Sequence, residues 1–176
     1  LCEKIKKSAG KEIPIQVKQF IDKTAQKDVS ELDDSLFKTV KNPINPGFYD
    51  GNLWIEIKPE ISEIQHCVVS LGNEYIDSAE FYEKRGGQFF YIGKIGHKIS
   101  TDEIEVPDSL QAFPVFRNSG YDDDTRFRIK IKNHNGNFIY IKLVNELDFF
   151  NSRRTYFAKL YIVLGISFCI LSLLFI

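Results

Sequence analysis

The sequence has no methionine, not even at its first position, and only three cysteines and one tryptophan among 176 residues. Translation begins at methionine, so this predicts that the natural start lies upstream. A removed signal peptide is inferred only from the topology argued below, because residues 1–10 lack the apolar core of such a signal. Leu1-Cys2 matches the remnant of a lipoprotein cleavage site, but a dipeptide is too short to carry that reading. Cys2, Cys67 and Cys169 lie in a polar terminus, an apolar run and an apolar tail. They form neither a disulfide framework nor a Cys-x-x-Cys metal site, and they leave the redox compartment open.

Net charge is also missing. With 23 basic against 24 acidic residues there is no basic field for nucleic acid, and no stripe of Lys and Arg interleaved with aromatics. Catalytic signatures are absent too. His66, His97 and His134 are isolated and read as loop or strand-edge residues rather than ligands. Asp122-Asp123-Asp124 lacks the alternation, Gly and Glu of a calcium loop and reads as a solvated turn. Gly93-x-x-Gly96-x-Lys98 has the wrong spacing for a phosphate loop, no Gly-x-Ser-x-Gly elbow occurs, and Cys67 reads as inert packing. Asp50, Glu56, Glu74, Asp77 and Glu80 offer carboxylates for a glycosidase, but their separations cannot be read from sequence. No catalytic residue, metal or cofactor is expected.

What is present is enough for one sizeable core: 43% apolar and 14% aromatic residues, with 27% charged. The cluster at residues 41–47, Lys-Asn-Pro-Ile-Asn-Pro-Gly, reads as a connector after a charged N-terminal region. Within that region Ser30 and Asp33 resemble a capping box, and Leu32, Leu36, Phe37 and Val40 recur at helical spacing, which predicts a short amphipathic helix. Beyond Gly51 the period changes to two. Strands are predicted at 53–58, 66–71, 78–83, 88–95, 111–116, 126–132 and 138–144, with tight turns at Gly86-Gly87 and Asn135-Gly136. In the sixth, Phe127, Ile129 and Ile131 alternate with Arg128, Lys130 and Lys132, one face for the core and one for water. Such strands with no long helices between them predict an all-β fold, an antiparallel β-sandwich.

Residues 160–176 carry no charge and fall at the short end of what spans a bilayer, so a transmembrane helix is predicted there. Tyr156, Phe157, Tyr161, Lys159 and Arg153-Arg154 would sit at its interface. Those cations taken alone place the preceding residues in the cytoplasm as a tail-anchored protein, but the other flank needed for the comparison is missing. The segment RRTYFAK does not fit a lipid-anchor signal.

Three stretches resemble a known family: VKQFIDKTAQKDVSELDDSLFK, NPGFYDGNLWIEI and SLGNEYIDSAEFYEKRGGQFFYIGKIGHKIS. They are similar, in that order, to the larger extracytoplasmic domain of bacterial seven-transmembrane receptors with diverse intracellular signalling modules. Two departures stand out: Glu56 occupies a position where the family commonly carries Arg, and SLQAFPVFRNSG only loosely echoes an Arg-containing run. The resemblance implies a jelly-roll similar to carbohydrate-binding modules, outside the bacterial cytoplasmic membrane, followed by seven helices and a cytoplasmic output domain. The expected organisation is a tail at 1–11, a sensor domain at 12–150, a juxtamembrane link at 151–158 and the first membrane helix at 159–176. A small-molecule or carbohydrate ligand and the membrane are the expected partners, and a homodimer is compatible with them. The alternative is a membrane-anchored carbohydrate-binding protein, or a tail-anchored protein, with no signalling role. Trp54, Tyr82, Tyr91 and Arg117 are candidate ligand contacts for their stacking and hydrogen-bonding capacity, although Trp54, between Leu53 and Ile55, reads first as core.

Overall fold

The computed structural model describes residues 12–60, 66–72, 75–100, 112–115, 125–132 and 137–174. The chain opens on β1, Ile15–Asp22, where the sequence predicts only a charged region. Val17 and Ile21 point into the main apolar cluster, while Lys18 and Phe20 serve the opposite face. This is a period-two strand with one buried side, diluted by interleaved polar residues.

The predicted short helix is corrected to two 3-10 turns, Val29–Glu31 and Asp34–Leu36. The capping box lies at Asp28 and Glu31 rather than at Ser30 and Asp33. Asp28 and Asp33 each accept from the backbone N–H two residues on, at 3.2 Å and 2.8 Å. Such local bonds compete with a helical ladder and divide the segment into two short turns. Leu32 and Phe37 are still buried together, so the apolar spacing marked a covering strap without marking a helix.

After β2 (Lys38–Thr39) and β3 (Ile44–Gly47), the expected strands follow as β4 (Asn52–Pro59), β5 (Cys67–Ser70), β6 (Ser78–Arg85), β7 (Gln88–Ile95), β8 (Ala112–Val115) and β9 (Phe127–Lys132). The single strand predicted over 138–144 is two, β10 (Asn137–Ile139) and β11 (Lys142–Asn145). The break has a clear cause. The side-chain amide of Asn42 donates to the Ile141 carbonyl at 2.7 Å and accepts from its N–H at 3.0 Å, so that residue's backbone is satisfied outside any ladder. The chain thereby leaves a pairing with β3 and enters one with β5.

Antiparallel pairing builds one sheet in the order β2-β1-β4-β9-β6-β7, a second in the order β11-β5-β8 and the short pair β10-β3. Leu53, Ile55, Ile57, Phe81, Phe127, Ile129 and Ile131 of the large sheet share one buried cluster with Cys67, Val69, Phe113, Val115 and Leu143 of the smaller one. Phe81 and Phe113 stack between the sheets, centroids 4.5 Å apart and planes 16° apart. Asn135-Gly136 lies outside the described residues, but Gly86 and Gly87 take the positive φ expected of that turn, 55° and 85°.

The last element is α1, Glu146–Leu174, which starts directly at the end of β11. Among the described residues no helix is long and apolar enough to cross a membrane, so the predicted span is not seen there. The first half of α1 carries Glu146, Asp148, Arg153, Arg154 and Lys159.

Replacing Phe81 by Ala is expected to lower the stability by about 3–5 kcal/mol in urea unfolding, because it opens a cavity between the sheets. A loss below about 1 kcal/mol would mean that the stack is not what joins them.

Candidate functional site

The second face of the large sheet is not simply solvated. The strap from β1 to β2 lies over it, and Val29, Leu32 and Phe37 bury Trp54. The same cover seals Arg128, which strict alternation assigns to water but which is 2% exposed. Its Nε donates to Glu56 Oε2 at 3.0 Å and its Nη1 to the Leu32 carbonyl at 2.8 Å, while Nη2 bonds to Asp34. The guanidinium lies between the rings of Phe37 and Phe89, 4.7 Å and 4.1 Å from their centroids. Glu56, also 2% exposed, is further approached by Arg126 at 3.5 Å and Lys18 at 3.7 Å. The position at which the chain departs from the related family's Arg is thus the acidic partner of a buried cation.

Three of the four candidate contacts come together on this face. Trp54 is fully buried, and its ring centroid lies 5.7 Å from that of Tyr82, which lies 5.7 Å from that of Tyr91. The row grades from sealed to open: Tyr82 is half-buried and Tyr91 is 55% exposed. Trp54 therefore fulfils its reading as core, and its ring is closed to a ligand. Burial, reinforced by a 2.8 Å hydrogen bond to Glu80, pushes the Tyr82 phenol well above its ordinary pKa. Arg117 lies outside the described residues.

Beside this row opens a cleft of about 450 Å³. Ala25 and the turn residues Tyr49, Asp50, Gly51 and Asn52 form one side. Ser78 and Glu80 of β6 and Lys130 and Lys132 of β9 form the other. Gly51 has φ +100°, and a Cβ there would collide with the Asp22 carbonyl, so only glycine lets the turn approach β1 this closely. Lys130 reaches Glu80 at 3.8 Å and stands 5.6 Å from the Trp54 ring centroid, tying the cleft to the aromatic row. Tyr49 is half-buried, its hydroxyl has no partner among the described residues, and burial pushes its pKa up to about 12.

Of the carboxylates considered for hydrolysis, Asp50 and Glu80 are the ones among the described residues that line the cleft. Glu56 is committed to Arg128, and Asp77 holds Lys98 at 2.9 Å. Glu74, His134 and Asp122-Asp123-Asp124 lie outside the described residues. Among the described residues no three His, Cys, Asp or Glu side chains group to hold a metal ion. Burial raises the Cys67 thiol to about 12, consistent with inert packing. Sequence reasoning missed Tyr49, Asn52, Ser78, Lys130 and Lys132 as site residues. The available signal was the Asp50-Gly51 turn together with the outward positions of β9.

The family model described as 7TMR-DISM extracellular 2 matches residues 15–145. No curated protein matches the chain. The matched family consists of extracellular domains of seven-transmembrane receptors, sensors rather than enzymes, which sets aside the cytoplasmic, tail-anchored alternative.

Arg128→Met is expected to cost about 3–5 kcal/mol in urea unfolding because it strands Glu56 without its buried cation, and adding Glu56→Leu should recover most of the loss. A single variant as stable as the parent would remove Arg128 from its organising role. Tyr49 provides a pH test. The folded chain holds the phenolic proton more tightly than the unfolded chain, whose pKa is about 10, so this contribution is intact below pH 10 and lost as pH rises towards 12. Tyr49→Phe should flatten the fall in stability between about pH 10 and 12, and an identical decline in the variant would refute the assignment.

Proposed function

We propose, for a chain that belongs to the 7TMR-DISM extracellular 2 family, that it is a receptor's ligand-sensing domain, with the ligand entering the cleft beside Lys130 and Glu80. The observation that carries this reading is the cleft's place in the chain. The turn at residues 48–51 follows β3, β3 pairs with β10, and β10 leads through β11 directly into α1. Where α1 begins, the Glu146 N–H donates to the His66 carbonyl at 2.8 Å, so the helix is held by the small sheet as well as by its own strand. A ligand that favours one position of the turn shifts the helix only if it binds the two receptor states unequally.

Two further features support the same reading. The buried cluster shared by two antiparallel sheets supports a sandwich of the jelly-roll kind. Ile162, Val163, Leu164, Ile166, Phe168 and Leu171 of α1 are exposed, which supports embedding of this end in the cytoplasmic membrane. The Tyr156, Phe157 and Lys159 stretch then lies at the interface. A small polar ligand is what the cleft lining supports; a sugar-stacking platform is limited to the open end of the aromatic row at Tyr91.

Inserting Gly-Gly-Ser between Asn145 and Glu146 in the complete receptor should abolish the response to the stimulus that drives the parent, with the melting temperature of the domain unchanged. An undiminished response would overturn coupling through α1.

A further inference from the structure

The cleft holds two kinds of charge. On its wall, Lys130 and Glu80 lie 3.8 Å apart and Glu80 also accepts the Tyr82 hydroxyl, so these two are matched within the fold. On its exposed rim, Asp50 from the β3–β4 turn and Lys132 at the end of β9 line the same space. Neither has an ion-pair or hydrogen-bond partner among the described residues, and the two do not pair with each other. The fixed charges of the cleft therefore cancel, while one of each sign is left unmatched at the opening.

This pattern discriminates among ligands by desolvation. An anion gains Lys132 but meets Asp50 and Glu80, and a cation gains Asp50 but meets Lys130 and Lys132. A neutral molecule strips water from both rim charges and returns no counter-charge. A molecule carrying both an ammonium and a carboxylate matches both at once without adding net charge. Among the described residues Tyr49, half-buried, is the one aromatic side chain in the lining, and Trp54 is sealed, which leaves little ring face there for a sugar to stack on. The volume of about 450 Å³ falls at the smaller end of ligand sites.

We propose that this cleft binds a small zwitterion of about dipeptide size, its ammonium at Asp50 and its carboxylate at Lys132, with the Ser78 hydroxyl free to bond the group between them. The inference rests on the cleft being the ligand site of the sensor. It is tested on the full chain in detergent micelles by calorimetric titration with alanyl-alanine, its N-acetyl form, its C-terminal amide and the neutral disaccharide cellobiose.

The free dipeptide should bind saturably, and each blocked form should bind about tenfold or more weakly. Asp50→Asn should remove the penalty of N-acetylation alone, and Lys132→Gln that of amidation alone. Both side chains are exposed and unpaired, so both variants should keep the parent melting temperature. Equal binding of free and blocked dipeptides, or no binding of the dipeptide, overturns the zwitterion assignment. Binding of cellobiose that Ser78→Trp abolishes overturns the assignment while leaving the cleft as the sensor's site. Dipeptide binding untouched by Asp50→Asn, Lys132→Gln and Ser78→Trp overturns both.

Discussion

The Arg128–Glu56 pair is the constraint around which the second face of the large sheet is organised. Two opposite charges on neighbouring central strands, each 2% exposed, are expensive to remove from water and persist only where their remaining bonding capacity is met. The fold meets it with groups from the strap: the Leu32 carbonyl, Asp34 and the face of Phe37, with Phe89 on the opposite side. The strap therefore supplies the ligands of a buried cation and does not merely cover the sheet. Because Leu32, Asp34 and Phe37 must all reach one guanidinium, the path of the 3-10 turns is fixed, and with it the burial of Trp54.

The location of the cleft follows. Arg128 and Lys130 point to the same side of β9, one position apart on that face. The first is roofed by the strap, whereas the second lies where the roof gives way to the turn at residues 48–51. Across that boundary the electrostatics change character. Under the roof every charge has a protein partner, as in Arg128 with Glu56 and Asp34. At the rim, Asp50 and Lys132 have no such partner among the described residues. A charge that the fold leaves to solvent costs the native state little and remains available to another molecule, unlike the charges of the richer buried network.

Much of the strand pattern was legible because it rests on local chemistry. β7 falls at 88–95 as the Gly86-Gly87 turn requires, and β4, β6 and β9 differ from expectation by one or two residues at their ends. Period two reveals which residues share a face but not what covers that face. Arg128, Lys130 and Lys132 look equivalent in sequence, yet the first is sealed by residues nearly a hundred positions earlier and the last is open. The two 3-10 turns were missed because Leu32 and Phe37 are apolar for the sake of Trp54, and that demand imitates a helical stripe. The division between β10 and β11 was hidden for a similar reason: the Asn42 side chain that accommodates Ile141 is remote in sequence.

The same remote contact connects the cleft to the C-terminal helix. β3 is short, and the turn beyond it forms one wall of the cleft while the Asn42 side chain before it clasps the backbone at Ile141. Ile141 lies between β10 and β11, and four residues past β11's first position the chain becomes α1. The 48–51 turn is thus connected at two points, through the β3–β10 pairing and through the Asn42 clasp, to a segment that runs into α1 without an intervening loop. Rigid packing transmits small shifts only where the receiving element has discrete positions available. The receiving element here is α1, which starts directly at β11 and whose later residues, among them Ile162, Leu164 and Phe168, pack against neither sheet and stay exposed.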